Sequence, residues 1–132
     1  MERVKERAKV ARKALTTLRE LTDKPGLSTV ERDAAIQRFE YTFEAIWKAA
    51  QLFLNEVEGI TANSPKSVVR ASWQSDLLDE AKAQAALEMC DARNMTAHTY
   101  NEELAVSIYH RIEKYVDLLE NWLGAIEIRL ED

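Results

Sequence analysis

An octapeptide in the last third of the chain, RNMTAHTY at residues 93–100, holds three side chains that together suit phosphate chemistry. Arg93 is permanently cationic and can hold two oxygens of a phosphate, so it can stabilise the charge that grows there during a reaction. Histidine is the side chain suited to proton transfer near neutral pH, so His98 can take a proton from a ribose 2′-hydroxyl or give one to a departing 5′-oxygen. Tyr100 can stack on a base or bond to a phosphate. This combination fits metal-independent cleavage of RNA.

One histidine can perform only one of the two proton transfers at a time. A symmetric dimer that apposes two copies of the segment would bring two His98 and two Arg93 side chains to one groove. That set is sufficient for acid–base cleavage to a 2′,3′-cyclic phosphate. The chemistry therefore favours a homodimer with the octapeptide near its interface.

A structural interpretation of the same residues stays open. An arginine five positions before a histidine often arises by chance, so the pair alone is weak evidence for catalysis. His98 would then be a helix-end residue bonded to backbone, and Tyr100 would be half-buried packing. His110 lies mid-helix beside Arg111, and we expect it to be structural or exposed.

The elements that must position the octapeptide read as helices. Apolar residues recur at helical spacing from Val4 until Pro25 and Gly26, which cannot continue a helix. Ser28, followed by Glu31, has the form of a capping box. The helix behind it should end near Gly59.

Later signals complete an all-α fold. Ser64 and Pro65 suit the start of a short helix. Ser75 or Asp76 is predicted to cap a fourth helix that ends near Arg93, and the chain is expected to loosen between Asn94 and the cap of the last helix, Asn101. The buried stripe of the fourth helix is assigned to Leu77, Leu78, Ala81 and Ala85, with Leu87 or Cys90 as a further member. We predict an up-and-down four-helix bundle with one additional short helix, forming one domain over residues 1–132.

Composition narrows the class of protein. The chain has 132 residues, 46% of them hydrophobic and 31% charged, with only three Gly and two Pro, which is typical of a folded helical protein. It has neither an apolar run long enough to cross a membrane nor a signal-peptide core, so we expect it to be cytoplasmic. Its single cysteine, Cys90, rules out an internal disulfide and leaves no Cys/His cluster for a metal.

Charge is unevenly distributed along the chain. The net charge is −5, yet residues 1–24 carry eight Lys/Arg against four Asp/Glu. This basic first helix is either a solvated face or a surface that attracts a phosphate backbone or an acidic partner. Further cationic side chains that could contact RNA are Arg32, Arg38, Lys48, Lys66 and Arg70.

Several segments in the right order and spacing resemble the HEPN superfamily, and within it the nucleotidyltransferase substrate-binding protein family, whose toxin members are called HEPT. The family motif, Arg-x4-His-x-Tyr with a polar residue after the arginine, is matched by Arg93, Asn94, His98 and Tyr100. Similar segments are RDAAIQRFEYTFEAIWK at 32–48, SPKSVVR at 64–70 and LEMCDARNMTAHTYNEELAVSIYHRI at 87–112. The resemblance therefore covers most of the chain.

The resemblance implies a four-helix HEPN bundle, a homodimer, and a minimal nucleotidyltransferase (MNT-type antitoxin) as partner. It implies a metal-independent endoribonuclease toxin without a cofactor, in which Arg93 and His98 are catalytic and Asn94 and Tyr100 bind the RNA substrate. It also implies that the partner silences the toxin by transferring AMP from ATP to Tyr100. Such a group would place a bulky negative charge beside the arginine and histidine.

Two alternatives from other classes remain. The chain can be a noncatalytic subunit that offers a nucleotide or substrate surface to a nucleotidyltransferase. It can also be a dimerisation module whose aromatic stripe forms an interface, although helical spacing of aromatic residues more often indicates a core. The stripe consists of Phe39, Phe43, Trp47, Tyr109 and Trp122.

Overall fold

The computed structural model describes residues 1–131, and every regular element in that range is helical. The elements are α1 (Glu2–Thr22), α2 (Thr29–Glu58), α3 (Pro65–Gln74), α4 (Glu80–Met95) and α5 (Glu102–Leu130), with a 3₁₀ turn (Thr96–His98) between the last two. The predicted all-α fold, with four long helices and one short one, is confirmed.

Most helix ends follow local signals in the sequence. The Ser28 hydroxyl accepts the Glu31 amide N–H at 3.1 Å, and the Glu31 carboxylate accepts the Ser28 N–H at 3.0 Å, which completes the predicted capping box. Gly59 ends α2 in the left-handed region, with φ 68°, where a glycine carries no steric cost. Asn101 caps α5 by accepting the Leu104 N–H at 3.1 Å. These local signals were therefore sufficient to place α2 and the start of α5.

The start of α4 differs from the prediction. Its cap is Asp79, whose carboxylate accepts the Lys82 N–H at 2.8 Å, and not Ser75 or Asp76. Asp76 has a positive φ of 61°, a conformation that no helix continues. The prediction was wrong because a sharp turn, which an aspartate tolerates, separates the end of α3 from the true cap.

The buried face of α4 was also misassigned. Leu77 and Leu78 are buried, as expected, but they lie in the turn, where both backbone N–H groups donate to the Ser72 carbonyl. Counting helical phase from these leucines placed Ala81 and Ala85 in the core, whereas Ala81 is exposed and Ala85 is half-buried. The residues that α4 buries are Ala83, Ala86, Met89, Cys90 and Ala92.

Contacts between helices show their directions. Arg3 reaches Glu56 at 3.1 Å, while Arg38 donates to the Thr17 carbonyl at 2.7 Å, so α1 and α2 run antiparallel. Arg12 donates to Glu120 at 2.8 Å, and Arg19 lies 3.5 Å from Asp117, so α1 and α5 are also antiparallel. Therefore α2 and α5 run parallel.

One end of the bundle collects the connections that matter for the octapeptide. The α1–α2 turn, the start of α2 and the start of α5 lie there, since Arg32 in α2 bonds to Glu102 in α5 at 2.7 Å. The last turn of α4 arrives at the same end, because Thr96 bonds to Glu40 of α2 at 2.8 Å. We call this end, defined by Arg32, Glu40, Thr96 and Glu102, the motif end.

The core is a continuous cluster to which all five helices contribute. Trp122 is fully buried, and its indole N–H donates to the Ser72 hydroxyl at 3.1 Å, which fastens α3 to α5. Each large apolar side chain removed from water contributes about 1.5–3 kcal/mol to the stability of the fold. Tyr109 of the aromatic stripe is half-buried, and its other four members, Phe39, Phe43, Trp47 and Trp122, are buried. The stripe therefore belongs to the core and not to an interface.

Two further features bear on the sequence-based expectations. Cys90 is buried and free, and loss of solvent raises the pKa of its thiol to about 11, so the thiol is protonated at neutral pH. Within residues 1–131, no helix is both long enough and apolar enough to cross a membrane.

Candidate active site

The octapeptide spans the end of α4 and the connection to α5. Arg93 lies in the last turn of α4, which continues through Met95 before the 3₁₀ turn begins. The Thr96 hydroxyl bonds back to the Arg93 carbonyl at 2.7 Å, a local bond that competes with helix continuation. The expected loosening of the chain is present, but it starts at Thr96, two residues later than predicted.

Arg93 is held along one edge by two side chains. Its Nη1 donates to the Thr96 hydroxyl at 3.1 Å and lies 3.4 Å from a carboxylate oxygen of Glu40. The Thr96 hydroxyl is itself 2.8 Å from the same carboxylate oxygen. A hydroxyl carries one hydrogen, so Thr96 donates to either Glu40 or the Arg93 carbonyl at a given moment. Glu40 and Thr96 together fix the position of the guanidinium.

The other edge of Arg93 is available to a ligand. Its side chain is 28% exposed, and Nη2 makes no hydrogen bond within residues 1–131. Its Nε is buried and also has no partner in the described part of the chain. Because the side chain is partly exposed, its unpaired Nη2 donors are the part of the guanidinium that can meet an anion oxygen.

His98 and Tyr100 extend into solvent just beyond Arg93. His98 is exposed, and its ring makes no hydrogen bond or ion pair in the range that the structure describes. Tyr100 is 87% exposed, and the two ring centroids are 6.1 Å apart in an edge-to-face arrangement of 77°. The alternative in which His98 is bonded to backbone and Tyr100 is half-buried is therefore wrong.

The structure brings some of the expected site residues together and leaves others apart. His98 and Tyr100 are neighbours, whereas no contact joins Arg93 to His98 within one chain. Asn94 is exposed, and its side chain forms no hydrogen bond with residues 1–131. His110 is exposed, 3.4 Å from Glu113 one helical turn away, as expected for a residue outside the site.

Glu40 is a site residue that sequence reasoning missed. It lies in the middle of α2, 56 positions before Thr96, and contacts the octapeptide only because the helices pack side by side. Nothing in its own segment distinguishes it from the other acidic residues of α2. Only the tertiary structure could identify it.

Arg32, expected to contact RNA, has a different role. It is 9% exposed and donates to the Glu102 carboxylate at 2.7 and 3.1 Å and to Asp33 at 3.0 and 3.3 Å. These bonds raise the pKa of Arg32 and, in return, the Arg32 guanidinium lowers the pKa of Glu102. Arg32 therefore holds the starts of α2 and α5 together, and its donors are occupied.

The remaining basic candidates are mostly paired as well. Arg70 is exposed and makes no ion pair within residues 1–131. The other three contact groups of the same chain. Arg38 donates to the Thr17 carbonyl at 2.7 Å, Lys66 lies 2.8 Å from Asp91, and Lys48 lies 3.7 Å from Glu44. The predicted RNA surface outside α1 is thus reduced to Arg70 and the more loosely paired Lys48. No cluster of three or more His, Cys, Asp or Glu side chains suited to a metal ion occurs in the described range.

Comparisons with other proteins identify the family of the chain and the relatives of its fold. A family model described as nucleotidyltransferase substrate binding protein like matches residues 6–128. A crystal structure of a protein from Thermus thermophilus superposes on 88% of this chain and 98% of its own, with a TM-score of 0.85 and 52% sequence identity. A tri-AMPylated HEPN toxin of Shewanella oneidensis, solved in complex with its MNT antitoxin, superposes on 95% of this chain and 96% of its own, with a TM-score of 0.76. At 13% identity, that likeness shows the fold alone.

Among curated proteins, a probable ribonuclease HepT of Haemophilus influenzae is 29% identical over 86 residues. The match spans 62% of this chain and 58% of that relative, a little more than half of its length. The family model covers nearly the whole chain, and it agrees with the motif and with the helical fold. The chain therefore belongs to the nucleotidyltransferase substrate-binding-protein-like family.

Proposed function

We propose that this protein is the metal-independent endoribonuclease toxin of a toxin–antitoxin pair, acting as a homodimer. The observation that carries the proposal is the motif end itself. There Arg93 is fixed along one edge with its other donors unpaired, and an exposed His98 follows within two helical turns. Arg32, a buried arginine with a structural role, has its donors bonded within the chain, whereas Arg93 keeps donors without partners in the described residues.

The chemistry divides between two copies of His98. One neutral imidazole takes the proton from the ribose 2′-hydroxyl as that oxygen attacks the adjacent phosphorus. The bond from phosphorus to the 5′-oxygen breaks, and His98 of the partner subunit, protonated beforehand, gives its proton to the departing oxygen. The products are a 2′,3′-cyclic phosphate and a free 5′-hydroxyl. Arg93 binds the non-bridging oxygens and stabilises their charge in the transition state, while Asn94 and Tyr100 position the RNA.

Side chains on both flanks of the octapeptide support the pairing of two copies. Met95 in the last turn of α4 is 39% exposed, and Val106 in the second turn of α5 is 40% exposed. With Tyr100, these apolar groups border the site and would lose solvent if a second copy packed there. The dimer would then complete a site that one chain holds only in half.

Control of the toxin is proposed to act on Tyr100. A partner nucleotidyltransferase would transfer AMP from ATP to the phenolic oxygen, releasing pyrophosphate, and an acceptor that is 87% exposed is accessible to such an enzyme. The added phosphodiester would lie next to the His98 ring and compete with RNA for Arg93. The AMPylated Shewanella toxin with its MNT antitoxin supports this mode of control in a protein of the same fold.

One observation favours the alternative, a noncatalytic nucleotide-binding subunit of a nucleotidyltransferase. Glu40 places a carboxylate beside Arg93, and that charge opposes the approach of an RNA phosphate. Under this alternative the purified protein binds nucleotide equally well with and without His98. It also leaves RNA uncut at every protein concentration.

The deciding experiment compares two histidines of the same chain. The purified protein should cleave RNA in EDTA and leave cyclic-phosphate ends, and His98→Ala should lower the rate by about 10²–10⁴-fold. His110→Ala is the matched control, because His110 is exposed and lies outside the motif, and it should retain full activity. Cleavage that survives in His98→Ala would refute the proposal.

A second measurement tests whether the partner nucleotidyltransferase silences the protein by modifying Tyr100. Intact mass after co-expression with the partner nucleotidyltransferase should increase by whole AMP units, and the increase should map to the peptide that contains Tyr100. Tyr100→Phe should stay unmodified and escape silencing. An unmodified wild-type chain, isolated with a competent partner and ATP, would contradict this part of the proposal.

A further inference from the structure

A second polar site lies towards the end of the bundle opposite the motif end, where α1 and α2 meet the loop that follows Gly59. It is an open cavity of about 260 Å³, which we call the α1–α2 pocket. Its polar lining comes from all three segments: Arg3 and Arg7 of α1, Lys48, Gln51 and Asn55 of α2, and Asn63 of the loop.

The pocket is cationic in a chain that is acidic overall. Three positive side chains line it, and no carboxylate does, although the net charge of the protein is −5. By contrast, the groove between α4 and α5 combines Glu88 and Asp91 with basic residues. The carboxylates that pair with two of these cations, Glu56 and Glu44, lie outside the lining, so an anion between the cations would be stabilised.

The pocket cations are only weakly neutralised by their own chain. Arg7 makes no ion pair within residues 1–131, and Lys48 lies 3.7 Å from Glu44 in a one-turn pair of exposed groups. Arg3 contacts Glu56 at 3.1 Å with a side chain that is 75% exposed. Such surface pairs are worth about 0–1 kcal/mol, so an incoming phosphate can compete with them.

Amide side chains add donors and acceptors beside these charges. Gln51 donates to the Ala62 carbonyl at 2.7 Å, which fixes the loop against α2 and leaves the amide oxygen of Gln51 free to accept. Asn55 and Asn63 are exposed and form no side-chain bonds with the described residues. Groups of this kind bond the hydroxyls of a sugar or the edge of a base.

We propose that the α1–α2 pocket binds the phosphate of a nucleotide, with Arg7 and Lys48 as the principal contacts. The phosphate belongs either to a free nucleotide or to an RNA chain. An arginine fork and a lysine point charge are the usual partners of a phosphate, and the volume admits about one nucleotide. This assigns a role to the basic face of α1, which the chemistry of the motif does not use.

The position of the pocket also permits one RNA to contact both sites. Lys48 follows Glu40, the partner of Arg93, by eight positions along α2, so the two lie about 12 Å apart along the helix axis. The proposal concerns binding alone. It stands whether or not the motif end cleaves RNA.

The test uses the full chain carrying His98→Ala, so that RNA stays intact whatever the activity of the wild type. Inorganic phosphate, AMP and an oligoribonucleotide of about ten residues are titrated separately at low salt, and dissociation constants are measured by calorimetry. Arg7→Glu and Lys48→Glu are compared with Lys13→Glu. Lys13 is also exposed on α1 but lines a separate groove between α1 and α5. Lys13→Glu changes the net charge of the protein as much as Arg7→Glu or Lys48→Glu does, so it is the matched control.

We expect Arg7→Glu and Lys48→Glu to weaken binding by about tenfold or more, and Lys13→Glu to change it by less than about twofold. Loss of AMP and phosphate binding in the pocket variants identifies a free-nucleotide site. Loss confined to the oligoribonucleotide, with the slope of log affinity against log salt reduced by about one, identifies an RNA-backbone site. The proposal is overturned if none of the three probes binds, or if Lys13→Glu weakens binding as much as Arg7→Glu.

Discussion

Two arginines at the motif end, on different helices, show opposite uses of the same side chain. Arg32 joins α2 to α5 and is 9% exposed, and its donors are hydrogen-bonded to Glu102 and Asp33. Arg93 ends α4, is fixed along one edge by Thr96 and Glu40, and keeps a buried Nε and further donors without partners in the described chain. The saturated guanidinium of Arg32 stabilises the fold, whereas the half-saturated guanidinium of Arg93 is the one that we propose binds phosphate.

Arg93→Ala should have the largest effect and should fall on activity. Loss of the phosphate contact in the transition state is expected to lower RNA cleavage by about 10²–10³-fold. The melting temperature should change little, because the partly exposed side chain contributes one ion pair at 3.4 Å and one hydrogen bond at 3.1 Å, both through Nη1. Rates from labelled RNA and melting curves from circular dichroism measure the two quantities. If the variant unfolds, Arg93 is a structural residue like Arg32 and the contrast fails.

Arg32→Ala should show the reverse pattern. Removing its bonds to Glu102 is expected to lower the free energy of unfolding by about 1–3 kcal/mol, while cleavage per folded molecule stays within about threefold of wild type. Urea denaturation measures the first quantity. Arg32→Lys keeps the charge but not the fork, and should recover only part of the stability. A variant with normal stability and no activity would assign Arg32 to the site.

Glu40→Ala sharpens the contrast, because it removes the support of Arg93 and leaves the arginine in place. We expect kcat to fall by about tenfold with little change in KM, since a misplaced guanidinium binds RNA but stabilises the transition state poorly. Glu40→Gln keeps an oxygen that accepts the Thr96 hydroxyl, and should restore most of the rate. Equal losses in both variants would show that the charge of Glu40, and not its hydrogen bond, is what matters.

The smallest effect is expected at Glu31, a solvent-accessible carboxylate at the same end. The Lys24 side chain, followed by the Ser28 backbone N–H, lowers the Glu31 pKa from 4.5 to about 2. A depressed pKa means that the ionised group stabilises the fold, so this contribution is present above pH 4.5 and is lost as the pH falls towards 2. Glu31→Gln should therefore melt slightly below wild type at pH 7, and the two curves should converge in acid.

Melting temperatures measured between pH 2 and pH 7 test the Glu31 effect. Lys24→Gln removes the main cause of the shift and should reduce the pH dependence. A difference between wild type and Glu31→Gln that is the same at every pH would assign the loss to helix capping alone.

The features that the sequence predicted well are those encoded by neighbouring residues. The capping box of Ser28 and Glu31 starts α2 and Gly59 ends it, and both signals act through contacts within a few positions. The start of α4 was misplaced because buried Leu77 and Leu78 imitate a helical stripe, while the turn that holds them is closed by backbone bonds to Ser72.

The roles of Arg32 and Glu40 could not be predicted for a different reason. Glu102 lies 70 positions from Arg32, and Thr96 lies 56 positions from Glu40, so each pairing exists only once the helices have packed. The sequence alone does not distinguish an arginine whose donors are hydrogen-bonded within the chain from an arginine whose donors are unpaired. The contrast between Arg32 and Arg93 is therefore a property of the tertiary structure.

The bond from Trp122 to Ser72 gives the molecule an optical reporter. The indole is fully buried and its N–H is hydrogen-bonded to α3, whereas Trp73, in α3 itself, is 44% exposed. Detachment of α3 would break the bond and bring water to the Trp122 ring, which would shift its fluorescence emission to longer wavelength. With Trp73 and Trp47 both replaced by Phe, Trp122 is the one remaining indole of the three, and local opening of the short helix could be timed separately from global unfolding.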